Sequence, residues 1–379
     1  MKDSFLIVTT VPMSLTFFKG QVQVLKSKYH IEIASSPGEK LDAFGQLEEV
    51  ATHGIPMKRE ISIFSDLVSL VRLSNLIGKL KPKIVHASTP KGGFLGMLAA
   101  YMNNTPVRIY FVLGLRYEGV KGLKRSFLKL MEKMSCRLAT HVFAVSHGTK
   151  KTLMEEKFTS KNIQIIWNGS INGIDTKKFN MATTPHPSIK NSLLPQGSII
   201  FGYVGRLVGD KGTNELIEAF THLHQSFPEI RLLIVGSFED TQDPVSDRTR
   251  SFIKNHPAIV YVGSQKDVRP YFKLMDIFVF PSYREGFGMV VIEAAAMETA
   301  VICSDITGCN EIIVDGHNGV LIPPKSTEML RLAMKTMLTQ PELRSTLSTN
   351  ARQSVIQRYE QHILWDHALE EYQKISNSV

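Results

Sequence analysis

The chain has 379 residues, 43% hydrophobic and 21% charged, which is typical of a globular protein and long enough for two domains. No apolar run reaches the roughly 20 residues of a membrane-spanning helix, and the N-terminal residues lack the pattern of a signal peptide. The three cysteines, Cys136, Cys303 and Cys309, form neither a paired framework nor a metal-ligand spacing. These features predict a cytoplasmic protein in a reducing compartment.

The first half alternates short apolar runs with helix-compatible segments, of which residues 64–80 and 93–102 are examples. Near-continuous apolar strands spaced by helices predict a parallel sheet that is covered on both faces. The predicted strands are residues 5–10, 30–35, 84–87, 107–112, 142–145 and 163–167.

Most of the formal net charge of +9 lies in residues 116–161, where eleven lysines and arginines stand against four glutamates, a net of +7. From 121 to 138, apolar residues recur at helical spacing among basic ones. Two interpretations stay open. The segment is either a core helix with a solvated basic face, or a face that meets anionic lipid headgroups or a pyrophosphate-bearing acceptor. Nucleic acid is disfavoured, because no recognition-helix or RNA-binding motif is present.

The composition changes at residues 181–197, which hold three prolines and few large apolar residues. We interpret 182–197 as a linker between an N-terminal domain, 1–181, and a C-terminal domain, 198–358. A last helix over 359–379 is expected to pack back on the first domain. Alternation restarts with predicted strands at 199–204, 231–235, 259–262, 277–280, 300–304 and 319–322. The pattern predicts two doubly wound α/β domains with a ligand cleft between them.

A glycine-bearing loop, GRLVGDKG at residues 205–212, joins the strand at 199–204 to a helical pattern. Its glycines allow a tight turn close to a ligand, and the following helix N-terminus favours an anion. Arg206 and Lys211 add two positive charges there. The loop therefore predicts a phosphate or pyrophosphate site, although a P-loop spacing is absent and a solvated surface loop remains the alternative.

A second strand-to-helix junction carries two carboxylates, Glu285 and Glu293, around Gly286 and Gly288 in REGFGMVVIE. A glycosidase pair would have to flank one bond, and a divalent metal would want further oxygen ligands nearby. Recognition of the vicinal hydroxyls of a sugar or ribose is the third interpretation. In the structural alternative Glu293 only caps the helix and Glu285 is solvated, which accounts poorly for a glutamate in an alanine-rich helix start.

At this point the sequence resembles the retaining family-four glycosyltransferases of GT-B architecture, in which two Rossmann-like doubly wound parallel-sheet domains face each other across a cleft. The resembling motifs in the second half are GRLVGDKG, PSYREGFGMVVIEAAA, SDITGCNEII and DGHNGVLIPP. In the first half, HASTPKGGFLGMLAA, GLRYEG, GLKRSFLKLMEK and WNGSINGIDTKKF are similar to the branch that builds bacterial capsules, exopolysaccharides and O-antigens (lipopolysaccharide).

The resemblance implies that Arg206 and Lys211 hold the diphosphate of a nucleotide-sugar donor and that Glu285 contacts the transferred sugar, which makes these three the catalytic candidates. Glu293 would bind the ribose hydroxyls, and residues 262–267 would line the base. The implied donor-binding residues are Gly205, Val262, Gly286, Phe287, Gly288, Met289, Val290 and Glu293. No cofactor and no metal are expected, since the nucleotide sugar is a co-substrate and the two cations stabilise the leaving group.

The sequence departs from the family pattern at three places. Residues 10–14, TVPMS, replace a common glycine pair, Leu113 replaces a histidine, and 298–300, ETA, replace a Gly-x-Pro. The acceptor-side candidates are His86, Thr89, Lys91, Arg116 and Glu118, although His86 could equally be a satisfied histidine at a strand end.

The resemblance implies transfer of a sugar from a UDP-sugar to a lipid-linked saccharide by a peripheral protein at the inner face of the cell membrane. The basic helix 121–138 would dock on the anionic membrane surface. Two alternatives are a nucleotide-sugar epimerase or hydrolase of the same fold, and a nucleotide-binding subunit without catalysis.

Overall fold

The computed structural model describes residues 2–58, 62–187, 194–240 and 243–379. The chain divides into two compact units, the first made of Met1–Asn172 with His362–Val379 and the second of Gly173–Gln361. Each unit is a parallel sheet with helices on its faces, as the alternating pattern predicts. Among the described residues, no helix is both long and apolar enough to cross a membrane.

The first unit contains a sheet of seven parallel strands. These are β1 (Asp3–Val8), β2 (Tyr29–Ser35), β3 (Ala51–Gly54), β4 (Ile84–Ser88), β5 (Val107–Val112), β6 (His141–Ala144) and β7 (Ile163–Gln164). Their order in the sheet is β3-β2-β1-β4-β5-β6-β7. The order reverses between β1 and β4, which makes the carboxyl ends of these two strands the place where a ligand crevice forms in such sheets.

Six helices connect these strands, and a seventh returns from the end of the chain. They are α1 (Gln21–Lys26), α2 (Glu39–Glu48), α3 (Ile63–Leu80), α4 (Pro90–Met102), α5 (Gly122–Leu138), α6 (His147–Glu155) and, at the C-terminus, α13 (Gln361–Asn377). Buried residues of α3, α4 and α5, among them Leu73, Leu95 and Leu128, join one hydrophobic cluster with the sheet. These three helices therefore form one layer of the core.

The C-terminal helix α13 packs on the first unit through polar and aromatic contacts. The Tyr372 hydroxyl lies 3.2 Å from His86 Nε2, and Trp365 Nε1 donates to Asn172 Oδ1 at 2.7 Å. The Ser376 hydroxyl donates to Asp3 Oδ2 at 3.1 Å.

The second unit contains a sheet of six parallel strands. These are β8 (Ile200–Val204), β9 (Arg231–Val235), β10 (Ile259–Tyr261), β11 (Ile277–Phe280), β12 (Ala300–Ser304) and β13 (Val320–Ile322), in the order β10-β9-β8-β11-β12-β13. The strand order reverses between β8 and β11. Both junctions that the sequence singles out, after residue 204 and after residue 280, therefore follow the two strands at the switch point.

The helices of the second unit are α7 (Thr213–Ser226), α8 (Asp247–Asn255), α9 (Arg269–Phe272), α10 (Met289–Ala296), α11 (Thr327–Thr339) and α12 (Pro341–Tyr359). The helix α10 is buried because Val291, Ile292 and three alanines face the sheet and α12. The helices α7 and α10 follow the two strands at the switch point, β8 and β11.

The structure differs from the sequence-based expectations at the domain boundary. The chain enters the second unit at Gly173, whereas the expected boundary was residue 181. Thr176 donates through its hydroxyl to Glu360, and Arg352 donates to the Phe179 carbonyl at 2.9 Å, so this segment is fastened to α12 and its end. The predicted linker 182–197 includes residues 188–193, which lie outside the described residues.

The strand β3 was not predicted from the sequence. The edge strand β3 has the sequence ATHG, which offers no apolar run. It is held by β2, where Glu32 Oε2 lies 2.6 Å from His53 Nε2. Glu298 occupies the left-handed conformation, at φ 54°, and its carboxylate pairs with Arg352 at 3.2 Å.

Candidate functional site

The candidate site of the second unit lies at the carboxyl ends of β8 and β11. Backbone geometry at the end of β8 requires glycine. Gly205 and Gly236 have φ values of 157° and 148°, and a Cβ on Gly236 would lie 1.8 Å from the Gly205 carbonyl oxygen. Gly212, at φ 68°, precedes α7, and a Cβ there would lie 2.1 Å from the Pro281 carbonyl oxygen. The loop 205–212 is thus packed directly against the loop that follows β11.

Lys211 and Glu285 form an ion pair across these two loops, and both side chains are about 15% exposed. Lys211 Nζ also lies 5.5 Å above the ring of Phe280, the last residue of β11. The Ser282 hydroxyl donates to Glu285 Oε1 at 3.0 Å. The structure therefore brings together the predicted diphosphate-binding lysine and the predicted sugar-binding carboxylate.

Arg206 forms an ion pair with Glu239, a residue of the loop after β9. The Arg206 side chain is 53% exposed, and its backbone carbonyl accepts a hydrogen bond from the Tyr203 hydroxyl at 2.8 Å. Its guanidinium group can therefore exchange Glu239 for another anion at the surface without moving the backbone.

The loop 282–285 is held in place by the loop before α7. The Tyr283 N–H donates to the Asp210 carbonyl at 2.8 Å, and Arg284 Nη2 donates to Asp210 Oδ2 at 2.6 Å. The Tyr283 hydroxyl donates to Glu215 in the first turn of α7. These contacts fix the position of Glu285 relative to Lys211.

The N-terminus of α10 offers a subset of the predicted backbone donors. The Gly288 N–H already donates to the Gly308 carbonyl at 3.0 Å, and the Met289 N–H donates to the Phe287 carbonyl at 2.9 Å. Among the described residues, the N–H groups of Phe287 and Val290 have no protein acceptor. The Phe287 side chain is buried against Tyr359, with ring centroids 5.4 Å apart, so this residue can reach a ligand only through its backbone.

Glu293 lies in the second turn of α10, and no side-chain partner is found for it within the described part of the chain. Its side chain is half-buried at the surface, but surrounding protein atoms desolvate the carboxyl group and raise its pKa to about 7. An unpaired carboxyl group beside a helix N-terminus that bears free N–H groups is suited to accept hydrogen bonds from hydroxyls of a ligand.

The predicted base-lining segment, residues 262–267, follows β10. Val262 is half-buried, its N–H donates to the Ile234 carbonyl at 3.1 Å, and its carbonyl accepts from Gln265 Nε2 at 2.7 Å. Asp267 forms an ion pair with Arg269, whose Nη2 lies 2.6 Å from Asp267 Oδ2. In the sheet, β10 is separated from β8 by β9. Residues 262–267 and Arg206 both follow the carboxyl ends of parallel strands, so they lie at the same end of the sheet.

The switch point of the first unit is formed by Thr10 after β1 and Thr89 after β4, whose hydroxyl oxygens lie 2.7 Å apart. Thr89 has a φ of 70°, and the Gly92 N–H donates to the Thr10 hydroxyl at 2.8 Å. Thr10 and Thr89 therefore link the end of β1 to the start of α4. Thr89, an acceptor-side candidate, lies at the N-terminus of α4.

The other acceptor-side candidates follow β4 and β5, which are neighbours in the sheet. Lys91 is buried and pairs with Asp66 of α3 at 2.6 Å. Arg116 and Glu118 lie in the 3₁₀ turn Arg116–Gly119 before α5, and Leu113 lies just after β5.

His86 is fully buried among the rings of Phe5, Phe18, Phe111 and Tyr372, and burial lowers its pKa to about 4. The alternative, a satisfied histidine at a strand end, holds for Nε2, which lies 3.2 Å from the Tyr372 hydroxyl, whereas Nδ1 has no hydrogen-bond partner among the described residues.

The basic segment 121–138 is the helix α5, which begins at Gly122. Its buried side includes Leu128, Met131 and Glu132, while six basic residues are distributed along it, namely Lys121 at the N-cap, Lys124, Arg125, Lys129, Lys133 and Arg137. Lys129 is engaged by Glu156 at 3.0 Å. The remaining basic side chains form no ion pair with a described residue.

Two groups of site residues were missed by the sequence analysis. Glu239 follows β9, the neighbour of β8, and its place after a strand end was the only available signal. Asp210 and Arg284 are separated by 74 positions, so no local pattern announces their contact.

Comparisons with known proteins match both halves of the chain. Residues 187–354 match the family model "Glycosyl transferases group 1", and residues 7–146 match "Glycosyl transferase 4-like".

The capsular polysaccharide biosynthesis glycosyltransferase CapM of Staphylococcus aureus is 36% identical over 361 residues, covering 95% of this chain and 94% of the relative. An Escherichia coli relative, UDP-Gal:alpha-D-GlcNAc-diphosphoundecaprenol alpha-1,3-galactosyltransferase, is 27% identical and covers 79% of this chain and 77% of its own. Among solved structures, Anabaena Alr3699/HepE in complex with UDP aligns over 99% of this chain and 100% of its own, with a TM-score of 0.80 and 17% identity.

Proposed function

The chain belongs to the group 1 glycosyl transferases, and we propose that it transfers a sugar from a UDP-sugar to a lipid-linked saccharide during the synthesis of a bacterial surface polysaccharide. The observation that carries this proposal is the convergence of Lys211, Glu285 and Arg206 at the switch point of the second unit. The donor named for the Escherichia coli relative, UDP-Gal, supports uracil as the base.

Each side chain has a distinct role toward the donor. The diphosphate displaces two carboxylates, Glu285 from Lys211 and Glu239 from Arg206, and takes both cations. Glu285, once released, accepts hydrogen bonds from hydroxyls of the sugar. Glu293 accepts from the ribose hydroxyls, and the free N–H groups of Phe287 and Val290 donate to phosphate or sugar oxygens.

The chemical step breaks the bond between the anomeric carbon and the phosphate oxygen, and the electron pair leaves with the nucleoside diphosphate. Lys211 and Arg206 stabilise the negative charge that develops on the departing phosphate. The acceptor hydroxyl attacks from the same face, its proton passes to the departing phosphate, and the anomeric configuration is retained. Glu285 forms no covalent bond in this account, and no metal takes part.

The acceptor is a saccharide linked to a lipid through a diphosphate. This is the acceptor class in the name of the Escherichia coli relative. In the first unit, Thr89, Lys91, Arg116 and Glu118 remain the proposed acceptor-side residues. The basic helix α5 docks on anionic headgroups at the inner face of the cell membrane, where such an acceptor is presented.

The decisive experiment offers the purified protein a panel of nucleotide sugars, each with and without a diphospho-polyprenol-linked monosaccharide. Release of UDP that depends on the acceptor supports transfer. Release at the same rate without acceptor would identify a hydrolase, a change in the sugar alone would identify an epimerase, and binding without turnover on any pair would identify a nucleotide-binding subunit. An excess of EDTA should leave the transfer rate unchanged, and a loss restored by Mg²⁺ would overturn metal independence.

A further inference from the structure

The first three turns of α3 present an unusual surface. Five large apolar side chains on one side of the helix are 51–87% exposed. They are Ile63, Phe64, Leu67, Val68 and Val71, and together they are called the α3 apolar face. Scattered exposed apolar residues are ordinary in soluble proteins, but a contiguous cluster on one helix marks a surface that meets another apolar phase.

The position of this face in the fold narrows the choice of partner. The connections through α3, α4 and α5 all advance in the same direction across the sheet, so right-handed crossovers place the three helices on one side. Both α3 and α5 pack against α4. Asp66, in the first turn of α3, pairs with Lys91 of α4 and fixes the start of α3 within this layer.

The outer surface of the layer combines apolar and basic groups. The α5 helix contributes exposed apolar side chains, such as Leu123 at 91% exposed, next to Lys124 and Arg125. Its six basic residues make this side of the unit positively charged. An anionic bilayer matches both components, because its headgroups attract the basic side chains and its acyl region accepts the apolar ones.

We propose that the α3 apolar face inserts into an anionic lipid bilayer beside α5, which binds the headgroups. The proposal rests on the proposed function in that a lipid-linked acceptor gives the protein a reason to reach the bilayer. A second copy of the chain is a poorer occupant, because a two-fold contact through this surface would bring two basic α5 helices together.

Insertion and headgroup attraction respond differently to salt. Ionic attraction at the surface weakens as the Debye length shortens from about 10 Å at 0.1 M salt to about 3 Å at 1 M. Burial of apolar side chains does not weaken under these conditions. Wild-type protein should therefore show a salt-sensitive part of binding, contributed by α5, and a salt-resistant part, contributed by α3.

The first test is flotation with phosphatidylglycerol–phosphatidylcholine vesicles at low and high salt. The double variant Phe64→Ser, Leu67→Ser should lose the salt-resistant part, with at least a tenfold lower partition coefficient at 1 M salt. Leu47→Ser is the matched control. Leu47 is 59% exposed on α2, whose crossover places it on the opposite side of the same sheet, and its replacement should change nothing.

The second test uses a label and needs no loss of binding. All three native cysteines are buried, so a single exposed cysteine can be labelled selectively with an environment-sensitive fluorophore. Labelled Leu67→Cys should show a blue shift on anionic vesicles, and labelled Leu47→Cys should show none.

Three outcomes would overturn the proposal. The double variant could float like the wild type at 1 M salt, or the emission of the label at position 67 could fail to shift. Light scattering could also show that the wild type is a dimer and the double variant a monomer. Flotation and labelling require neither donor nor acceptor. Failure here would therefore leave the transfer reaction standing, and failure of transfer would leave the membrane contact standing.

Discussion

Lys211 and Glu285 lie on different loops of the second unit and pair with each other at the carboxyl ends of β8 and β11. The pair keeps two largely buried charges neutralised while the site holds no donor. A diphosphate is a stronger partner for a lysine than one carboxylate is. Under the proposed function, we therefore expect donor binding to release Glu285 from Lys211 when the sugar arrives beside it.

The pair of Arg206 and Glu239 gives a prediction with opposite signs for its two members. Arg206→Ala removes a charged hydrogen-bond donor, which contributes about 1.5–3 kcal/mol, and UDP should bind about 10- to 100-fold more weakly. Glu239→Gln removes the competing carboxylate from an exposed pair, and UDP should bind up to about fivefold more tightly. Isothermal titration calorimetry with UDP measures both.

Arg331→Ala is the matched control for this prediction, since Arg331 pairs with Glu328 on α11 rather than on a loop of the site. Its UDP affinity should equal that of the wild type. Weaker UDP binding by Glu239→Gln would show that Glu239 supports the nucleotide instead of competing with it.

The role of Glu293 predicts a pH dependence of donor binding. Burial raises the pKa of Glu293 to about 7, and the ionised carboxylate is the better acceptor for ribose hydroxyls. Affinity for the UDP-sugar should therefore rise between pH 6 and pH 8. The intact donor is the right ligand, because its diphosphate is esterified at both ends and does not titrate in this range.

Glu293→Gln should bind the UDP-sugar more weakly and with a flat profile over the same pH range. An unchanged pH profile in the variant would mean that another group produces the dependence, and would remove Glu293 from the ribose site.

Much of the second unit could be predicted from the sequence, because its strands are apolar and its ligand loops follow them directly. The strand order, which sets β8 beside β11, could not, since pairing of distant strands leaves no local mark. Glu239 as the counter-ion of Arg206, and the ion pair between Asp210 and Arg284, could not be predicted for the same reason. The start of the second unit at Gly173 was not predicted, because the residues that hold this segment, Glu360 and Arg352, lie far along the chain.

Glu132, buried in α5, predicts a pH dependence of stability in the first unit. The Tyr110 hydroxyl donates to Glu132 Oε1 at 2.6 Å, and burial raises the pKa of Glu132 from 4.5 to about 7. The folded state thus holds the proton that the unfolded state releases, so this contribution to the free energy of unfolding is present below about pH 4.5 and is lost as pH rises to about 7. Glu132→Gln should remove this loss, on the order of 3 kcal/mol at pH 8.

Urea denaturation followed by tryptophan fluorescence measures this effect in the correct unit, because Trp167 and Trp365 both lie in the first unit. Glu39→Gln, on the exposed first turn of α2, is the control and should keep the wild-type pH slope. Equal slopes in wild type and Glu132→Gln would show that Glu132 does not hold its proton in the folded state.

The first unit was less predictable than the second. Its seven strands include a polar edge strand, β3, that no apolar pattern announces. His86 has the sequence context of a site residue, but α13 covers it from the far end of the chain. The sequence of α3 has the pattern of an ordinary amphipathic helix. Only the packing of the folded chain shows that the α3 apolar face is left exposed.

The central claim is that Glu285 binds the transferred sugar while Lys211 and Arg206 bind the diphosphate. The most direct measurement is steady-state transfer by Glu285→Gln from the UDP-sugar to the lipid-linked acceptor, together with UDP affinity by calorimetry. We expect turnover to fall about 100-fold or more, because a preorganised charged group is lost, while UDP binds at least as tightly as to the wild type. Full turnover by Glu285→Gln on its true donor and acceptor would contradict the account.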